Sequence, residues 1–217
     1  KNGPATGTIT FNVIANTLNA VDDNFRAPVF APGAGGTTPS VLGNDTFNGA
    51  AASPLQVTVN LDAPPAGFSI DSPGVITVSG FAPAGATTLT YTLCELGSTT
   101  NCDTANVQVL IAPDAQDDTA SVTGTQAGTF NLASNDNAPD GSTFTVIAAP
   151  TKGTAVLTTA GSLQYTATAG QTGTDTLTYQ VCLPAPDGST CDTAQVTVTL
   201  ANAALVAVND DYSASPI

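Results

Sequence analysis

Two segments of the chain alternate strictly between apolar and polar residues, and they are near copies of each other. The first runs from Leu89 to Ile111 as LTYTLCELGSTTNCDTANVQVLI, and the second from Leu177 to Leu200 as LTYQVCLPAPDGSTCDTAQVTVTL. Alternation with a period of two predicts half-buried β-strands, and the polar stretch inside each segment predicts a hairpin turn. A repeated segment indicates a repeated structural unit.

The four cysteines lie on the polar face of these hairpin strands. Opposed residues of a non-hydrogen-bonded antiparallel pair have Cα atoms about 4.5 Å apart, a distance that a disulfide spans. We therefore predict the bridges Cys94–Cys102 and Cys182–Cys191. The alternative is four reduced thiols in a cytosolic protein, whereas zinc is disfavoured because the chain has no His. Paired cysteines favour an extracellular or cell-surface location.

A pair of aspartates sets the period of the repeat. Asp22/Asp23 recur as Asp117/Asp118 after 95 residues and as Asp210/Asp211 after another 93. The spacing predicts two complete domains, residues 17–113 and 114–203. Residues 1–16 are then the last strand of a preceding domain, and residues 204–217 are the first strand of a following one or an exchanged strand.

Short strands separated by Gly, Pro and Asn predict an all-β fold, with each domain a β-sandwich. Strand candidates are residues 55–60, 67–70 and 75–78 in the first domain, and 143–148, 154–158 and 162–166 in the second. The linkers between the domains are short and lack a flexible spacer, so we expect the domains to follow one another end to end.

Composition narrows the possible functions. The chain has 17 acidic and three basic residues, for a net charge of −14. That charge argues against nucleic acid and direct contact with acidic membranes, and it favours cations as partners. No apolar run reaches the length of a membrane-spanning helix. Without His, and with Glu95 as the sole glutamate, the chain is not expected to be an enzyme.

The second domain carries short motifs that resemble a known group. These are AQDD at Ala115, ND at Asn135, GTDTLTYQV at Gly173 and AQVTVTL at Ala194. They resemble the tandem immunoglobulin-like or cadherin-like repeats of large bacterial surface adhesins and extracellular fibres. The first domain departs from this pattern by having GATTLTY before its hairpin, and the cysteines are an addition to it. The resemblance implies tandem immunoglobulin-like (Greek-key) sandwiches in a repetitive adhesin or fibre stalk.

Calcium is the cofactor that the acidic clusters could hold, because it takes six to eight oxygen ligands from carboxylates and carbonyls. One site would use Asp22, Asp23, Asn44 and Asp45. The other would group Asp117 and Asp118 with Asp103 or Asp114 and with the turn Asn135/Asp136. The alternative is that these residues form solvated turns in which Asp and Asn accept hydrogen bonds from the backbone.

The sequence thus predicts a structural segment of an extracellular bacterial stalk or fibre that gives reach and cohesion. Its partners would be further copies of the same repeat, and no receptor is indicated. The alternative is a self-assembling filament subunit that exchanges end strands between copies; the candidate residues are Ile9, Phe11, Val13, Leu205, Val206 and Val208. A carbohydrate- or receptor-binding module is a weaker alternative, because the chain has no Trp and its strand tyrosines fall at core positions.

Overall fold

The computed structural model describes residues 7–10 and 15–202. It divides into two compact units, of which the first comprises residues 1–30, 34–82 and 87–110 and the second residues 31–33, 83–86 and 111–217. The partial domain 204–217 lies outside the described residues, and so do the strand-exchange candidates Phe11, Val13, Leu205, Val206 and Val208. No helix among the described residues has the length and apolar character needed to cross a membrane.

Ten strands run from residue 18 to residue 111, within the described part of the chain that forms unit 1. They are β1 (Leu18–Asn19), β2 (Asp23–Phe30), β3 (Gly36–Ser40), β4 (Thr46–Phe47), β5 (Ala50–Ala51), β6 (Val57–Leu61), β7 (Phe68–Ile70), β8 (Val75–Val78), β9 (Gly85–Glu95) and β10 (Cys102–Ile111). A four-stranded sheet has the order β2-β10-β9-β6, and a three-stranded sheet has the order β3-β8-β7. A small additional sheet, β1-β4-β5, holds the residues that lead into the unit.

Unit 2 repeats the two main sheets. Its strands are β11 (Asp118–Thr123), β12 (Gly128–Asn131), β13 (Thr143–Ala148), β14 (Gly153–Leu157), β15 (Ser162–Ala167), β16 (Gly173–Cys182) and β17 (Cys191–Ala201). The sheet orders are β11-β17-β16-β13 and β12-β15-β14. The first strand runs parallel to the last, and the other described pairs in this unit are antiparallel. Each unit is therefore an immunoglobulin-like sandwich, as predicted.

The alternating hairpin strands supply much of each core. In unit 1, Tyr91, Leu93, Val107 and Val109 are fully buried, while the polar residues between them lie on the outer face. In unit 2, the apolar residues of β16 and β17 join those of β15 in one buried cluster. Burial of one face of a strand is what its period of two requires.

The predicted strands agree closely with the observed ones. β13 has the predicted bounds, and so does β8. The others are displaced at their ends by one or two residues. Both units also contain a 3₁₀ turn, Val41–Gly43 and Leu132–Ser134, which directly precedes the Asn-Asp pair.

Candidate functional site

Both predicted disulfides are present. Cys94 is bonded to Cys102 and Cys182 to Cys191, with Cα–Cα distances of 4.0 and 4.1 Å. Cys182 and Cys191 are directly opposed in the β16–β17 ladder. The bridges join the two strands of each hairpin away from the core, and no cysteine is free.

A carboxylate beside a tyrosine forms the centre of a cluster in unit 1. Asp45 is 1% exposed, and its Oδ1 accepts hydrogen bonds from Val21 N at 2.8 Å and from the Tyr91 hydroxyl at 2.9 Å. The Tyr91 hydroxyl also lies 3.1 Å from the carbonyl oxygen of Val21. The side chains from the Asn-Asp turn and from β9 thus hold the segment that leads into the unit, which we call the lead-in segment (residues 15–22 in unit 1 and 112–117 in unit 2).

Three more side chains of unit 1 hold the same segment. Asp103 Oδ2 accepts from Ala20 N at 2.8 Å. Asn44 Nδ2 donates to the carbonyl of Asp22 at 3.1 Å, and the Asp22 carboxylate accepts from Asn106 N on β10 at 2.8 Å. Backbone amides that precede a strand would otherwise lack partners, so these carboxylates satisfy donors that the sheets do not reach.

Unit 2 builds the same cluster from the corresponding residues. Asp136 Oδ1 accepts from Gln116 N at 2.7 Å and from the Tyr179 hydroxyl at 3.0 Å. The hydroxyl lies 3.0 Å from the carbonyl of Gln116. The remaining pairs are Asp192 Oδ2, which accepts from Ala115 N at 2.9 Å, and Asp117 Oδ1, which accepts from Gln195 N at 2.8 Å.

One aspartate of each cluster has a buried side-chain oxygen without a hydrogen-bond partner. Asp23 is 9% exposed, and neither its Oδ2 nor that of Asp118 has a hydrogen-bond partner. Burial, followed by the neighbouring negative charge of Asp45, raises the pKa of Asp23 to about 7. Burial also raises the pKa of Asp118 to about 6. Each cluster therefore favours a bound proton well above the usual range for aspartate.

The pKa values of four further groups, one aspartate and one tyrosine in each cluster, shift in the same direction. Burial is the largest cause that raises the pKa of Asp45 and of Asp136, although the hydrogen bonds from the lead-in segment oppose it. Burial and the adjacent carboxylates also raise the pKa of the Tyr91 and Tyr179 hydroxyls. Both hydroxyls therefore remain protonated and act as hydrogen-bond donors.

The predicted calcium ligands lie in the two clusters just described. Asp103, one of the two alternatives for the second site, belongs to the cluster of unit 1, where it binds the lead-in segment. Its counterpart in unit 2 is Asp192, which the sequence analysis missed even though CDTA recurs there. Asp114 pairs through its backbone with Asn137. Within residues 7–10 and 15–202, no group of three or more acidic, His or Cys side chains has an arrangement that could hold a metal ion.

Unit 2 has a further buried carboxylate that unit 1 lacks. Asp175 is 4% exposed and accepts from the Tyr165 hydroxyl at 2.7 Å and from the backbone amides of Lys152 and Thr151 at 2.8 and 3.0 Å. Burial acts to raise the pKa of Asp175, but these hydrogen bonds outweigh it and hold the pKa below its ordinary value. Thr87 takes the place of Asp175 in unit 1, which explains the departure of GATTLTY from the pattern.

The three tyrosines among the described residues offer no exposed ring for sugar stacking. Tyr91, Tyr165 and Tyr179 are each 0% exposed, and their hydroxyls bind the carboxylates described above. Their burial agrees with their expected core positions. The sequence pattern did not indicate that the hydroxyls link the Asn-Asp turn to the lead-in segment.

Comparison with known proteins agrees with this fold. Residues 111–199 match the family model of the bacterial Ig domain. The matched residues make up most of unit 2, and unit 1 repeats the two main sheets and the carboxylate cluster of unit 2. The chain is thus made of tandem immunoglobulin-like repeats, the class that its sequence resembles. No curated protein gives a significant match.

Several solved structures are similar at low identity. Endo-fucoidan hydrolase MfFcnA4 from glycoside hydrolase family 107 is 16% identical over 90% of this chain and 30% of its own length, with a TM-score of 0.32. Mouse protocadherin-24 EC1-3 is 14% identical over 84% of this chain and 69% of its own, with a TM-score of 0.34. Mouse cadherin-23 EC22-24 is 13% identical over 87% and 65%, with a TM-score of 0.33. The chain spans only about a third of the length of the hydrolase.

Proposed function

We propose that this chain is a structural repeat segment of an extracellular bacterial adhesin stalk or surface fibre, and that it gives the fibre reach and cohesion. A bacterial Ig domain and two disulfides are typical of extracellular proteins. The net charge of −14 keeps such a surface soluble and away from anionic polymers. Further copies of the same repeat are its partners along the fibre.

The observation that carries the proposal is the repeated hold on the lead-in segment. In unit 2, Asp192 and Asp136 bind the consecutive amides of Ala115 and Gln116. In unit 1, Asp103 and Asp45 bind those of Ala20 and Val21 in the same way. These amides are bound to the body of the unit that follows them, and releasing them would break charge-assisted hydrogen bonds. A segment held in this way favours a stalk over a chain with flexible spacers.

The test measures how tightly the two units are held. Labels introduced by a chemistry other than cysteine, one in each unit, should give a narrow distribution of distances by pulsed electron resonance. Asp192→Ala should broaden that distribution, whereas Asp140→Ala, which removes an exposed charge from unit 2, should not. A broad distribution in the unaltered chain would reject the stalk.

The alternative is a filament subunit that exchanges strands between copies. Ile9 is 78% exposed, which is compatible with a strand that seeks a partner. However, each unit has its four-stranded and three-stranded sheets complete within the described residues, so an exchanged strand would have to add at a sheet edge. Electron microscopy of the purified chain discriminates between the two functions, since polymers would favour the subunit and separate particles the stalk.

Calcium remains a prediction for the two clusters. Asp23 and Asp118 each have a carboxylate oxygen without a hydrogen-bond partner. A calcium ion would compete with a proton for these oxygens. Thermal melting with and without millimolar calcium tests this, and Asp23→Asn is the matched variant in which any calcium-dependent rise for unit 1 should disappear. An unchanged melting temperature in the unaltered chain would remove calcium from the proposal.

A further inference from the structure

Two side chains that bind the lead-in segment of unit 1 flank a disulfide-bonded cysteine. Asp103 directly follows Cys102 in the chain, and its Oδ2 accepts a hydrogen bond from Ala20 N at 2.8 Å. Asn101 directly precedes Cys102, and its Nδ2 donates to the carbonyl oxygen of Asn16 at 3.1 Å. Both neighbours of the cysteine therefore bind the lead-in segment from the same end of the hairpin.

Unit 2 joins a cysteine to the lead-in segment in the same way. Asp192 directly follows Cys191, and its Oδ2 accepts from Ala115 N at 2.9 Å. Cys191 is bonded to Cys182, and the two form the last pair of the β16–β17 ladder. The recurrence of CDTA thus repeats a cysteine together with the carboxylate that binds the lead-in segment.

The alternation of β10 directs the cysteine and its neighbours to opposite sides of the sheet. Ala105 and Val107 are buried in the core, and Asp103 has the same parity along the strand. Cys102 has the opposite parity, so it lies on the outer face. None of the four cysteines is buried, and Cys102 is exposed. The bridge therefore fixes the strand end from outside, where a reductant in solution can reach it.

We propose that each disulfide is a redox switch for the lead-in segment of its own unit. With the bridge closed, the strand end is fixed and the aspartate next to the cysteine binds the segment. With the bridge open, the strand end frays, because the ends of a ladder have the fewest contacts, and the aspartate releases the amide. A dithiol opens the bridge: the Sγ–Sγ bond breaks, two electrons and two protons pass to the cysteines, and the dithiol becomes a disulfide.

The switch deepens the proposed function, and its role in a stalk rests on that function. A chain under reducing conditions would lack the hold on its lead-in segments. The same chain would gain the hold in the oxidising surroundings in which disulfides persist. The lead-in segments of a stalk would then become fixed only where the stalk is used.

The experiment measures backbone amide relaxation by NMR on the whole chain of 217 residues, before and after reduction with dithiothreitol. The amides of Ala20 and Ala115 should have order parameters of about 0.85 in the oxidised chain and below about 0.6 in the reduced chain, the values of rigid and flexible backbone. The amides of Ile76 and Lys152 are bonded to side chains elsewhere in their units and serve as controls. Their order parameters should stay at about 0.85.

Serine variants test the two bridges one at a time. Replacing both Cys94 and Cys102 with Ser should lower the order parameter of Ala20 and leave that of Ala115 unchanged, because the bridge of unit 2 remains closed. The corresponding double variant of unit 2 should have the reverse effect. A fall at both amides in either variant would contradict a switch that acts within its own unit.

Each outcome decides the proposal. An unchanged order parameter at Ala20 or at Ala115 after reduction overturns it. An equal fall at Ile76 and Lys152 also overturns it, since the bridges would then stabilise whole units and not the hold on the lead-in segment; a reduced chain that no longer folds gives this result. The stalk is tested separately by the distance distribution of the oxidised chain, so the switch can fail while the stalk stands.

Discussion

Replacing Asp23 with Asn should stabilise unit 1 at pH 8. The folded protein raises the pKa of Asp23 from 3.8 to about 7, so the buried carboxylate must lose its proton at a cost that the unfolded chain does not have. A group with a raised folded-state pKa contributes stability that is fully present below the unfolded pKa and lost as the pH rises through the folded pKa. Unit 1 should therefore be more stable at pH 5 than at pH 8.

The size of the effect follows from the two pKa values. A shift from 3.8 to about 7 corresponds to about 4 kcal/mol at most between the extremes of pH, at about 1.4 kcal/mol for each pH unit. Between pH 8 and pH 5 the gain for Asp23 is about 3 kcal/mol. For Asp118, with a pKa of about 6, the same change gives about 1 kcal/mol. Unit 1 should thus respond more strongly than unit 2.

Urea unfolding at pH 5 and pH 8 measures the stability of each unit separately. It is followed by the NMR signals of Leu93 for unit 1 and of Val181 for unit 2. Asp23→Asn should raise the free energy of unfolding of unit 1 at pH 8 and flatten its pH dependence. Asp62→Asn removes an equal charge from an exposed position of unit 1 and controls for the general relief of negative charge. If Asp23→Asn keeps the full pH dependence, or loses stability at pH 8, the assignment of the proton to this cluster is wrong.

Three further predictions concern the hydrogen bonds and disulfides. Tyr91→Phe removes the hydroxyl between Asp45 and Val21 and should destabilise unit 1 by about 1 to 3 kcal/mol. Urea unfolding measures this, and an equal loss of stability in unit 2 would contradict the reasoning. Replacing Cys94 and Cys102 with Ser should lower the free energy of unfolding of unit 1 by about 2 to 3 kcal/mol. If urea unfolding shows no measurable loss, the disulfide does not stabilise the unit by constraining the unfolded chain. Asp175→Asn should weaken unit 2 at neutral pH, because the lowered pKa of Asp175 contributes stability that is present above pH 3.8 and lost as the pH falls through the folded pKa. If the variant were as stable as the native unit at pH 7 but more stable than it at pH 3, the expected direction of the pH dependence would be wrong.

The hairpins were predictable because local alternation determines them. Residues 89–93 and 105–109 bury alternate side chains as expected, and the cysteine pairing follows from the same parity. β2 was harder to recognise, because DNFRAPVF contains a Pro and no regular alternation. It is the outer strand of its sheet, and an outer strand can accommodate such a sequence since half of its backbone groups need no partner.

The clusters were only partly predictable, for a related reason. The repetition of the Asp pairs and of the Asn-Asp turns indicated that they share a function, and the structure brings them together. Which amide each carboxylate binds depends on how the strands cross, and sequence spacing does not contain that information. Tyr91 and Tyr179 illustrate this point, because a buried tyrosine in an alternating strand suggests packing, whereas the target of its hydroxyl lies 70 and 63 residues away along the chain.

The positions along the chain of the residues that form each cluster have an evolutionary consequence. Unit 1 draws the parts from its beginning, its Asn-Asp turn and its final hairpin, and unit 2 does the same. The hydrogen bonds named for each cluster therefore join atoms of one period of the repeat. A gene rearrangement with breakpoints just before Ala20 and Ala115 would duplicate or delete a whole period and leave every such bond intact, so the number of repeats can change by recombination without new compensating mutations in the clusters.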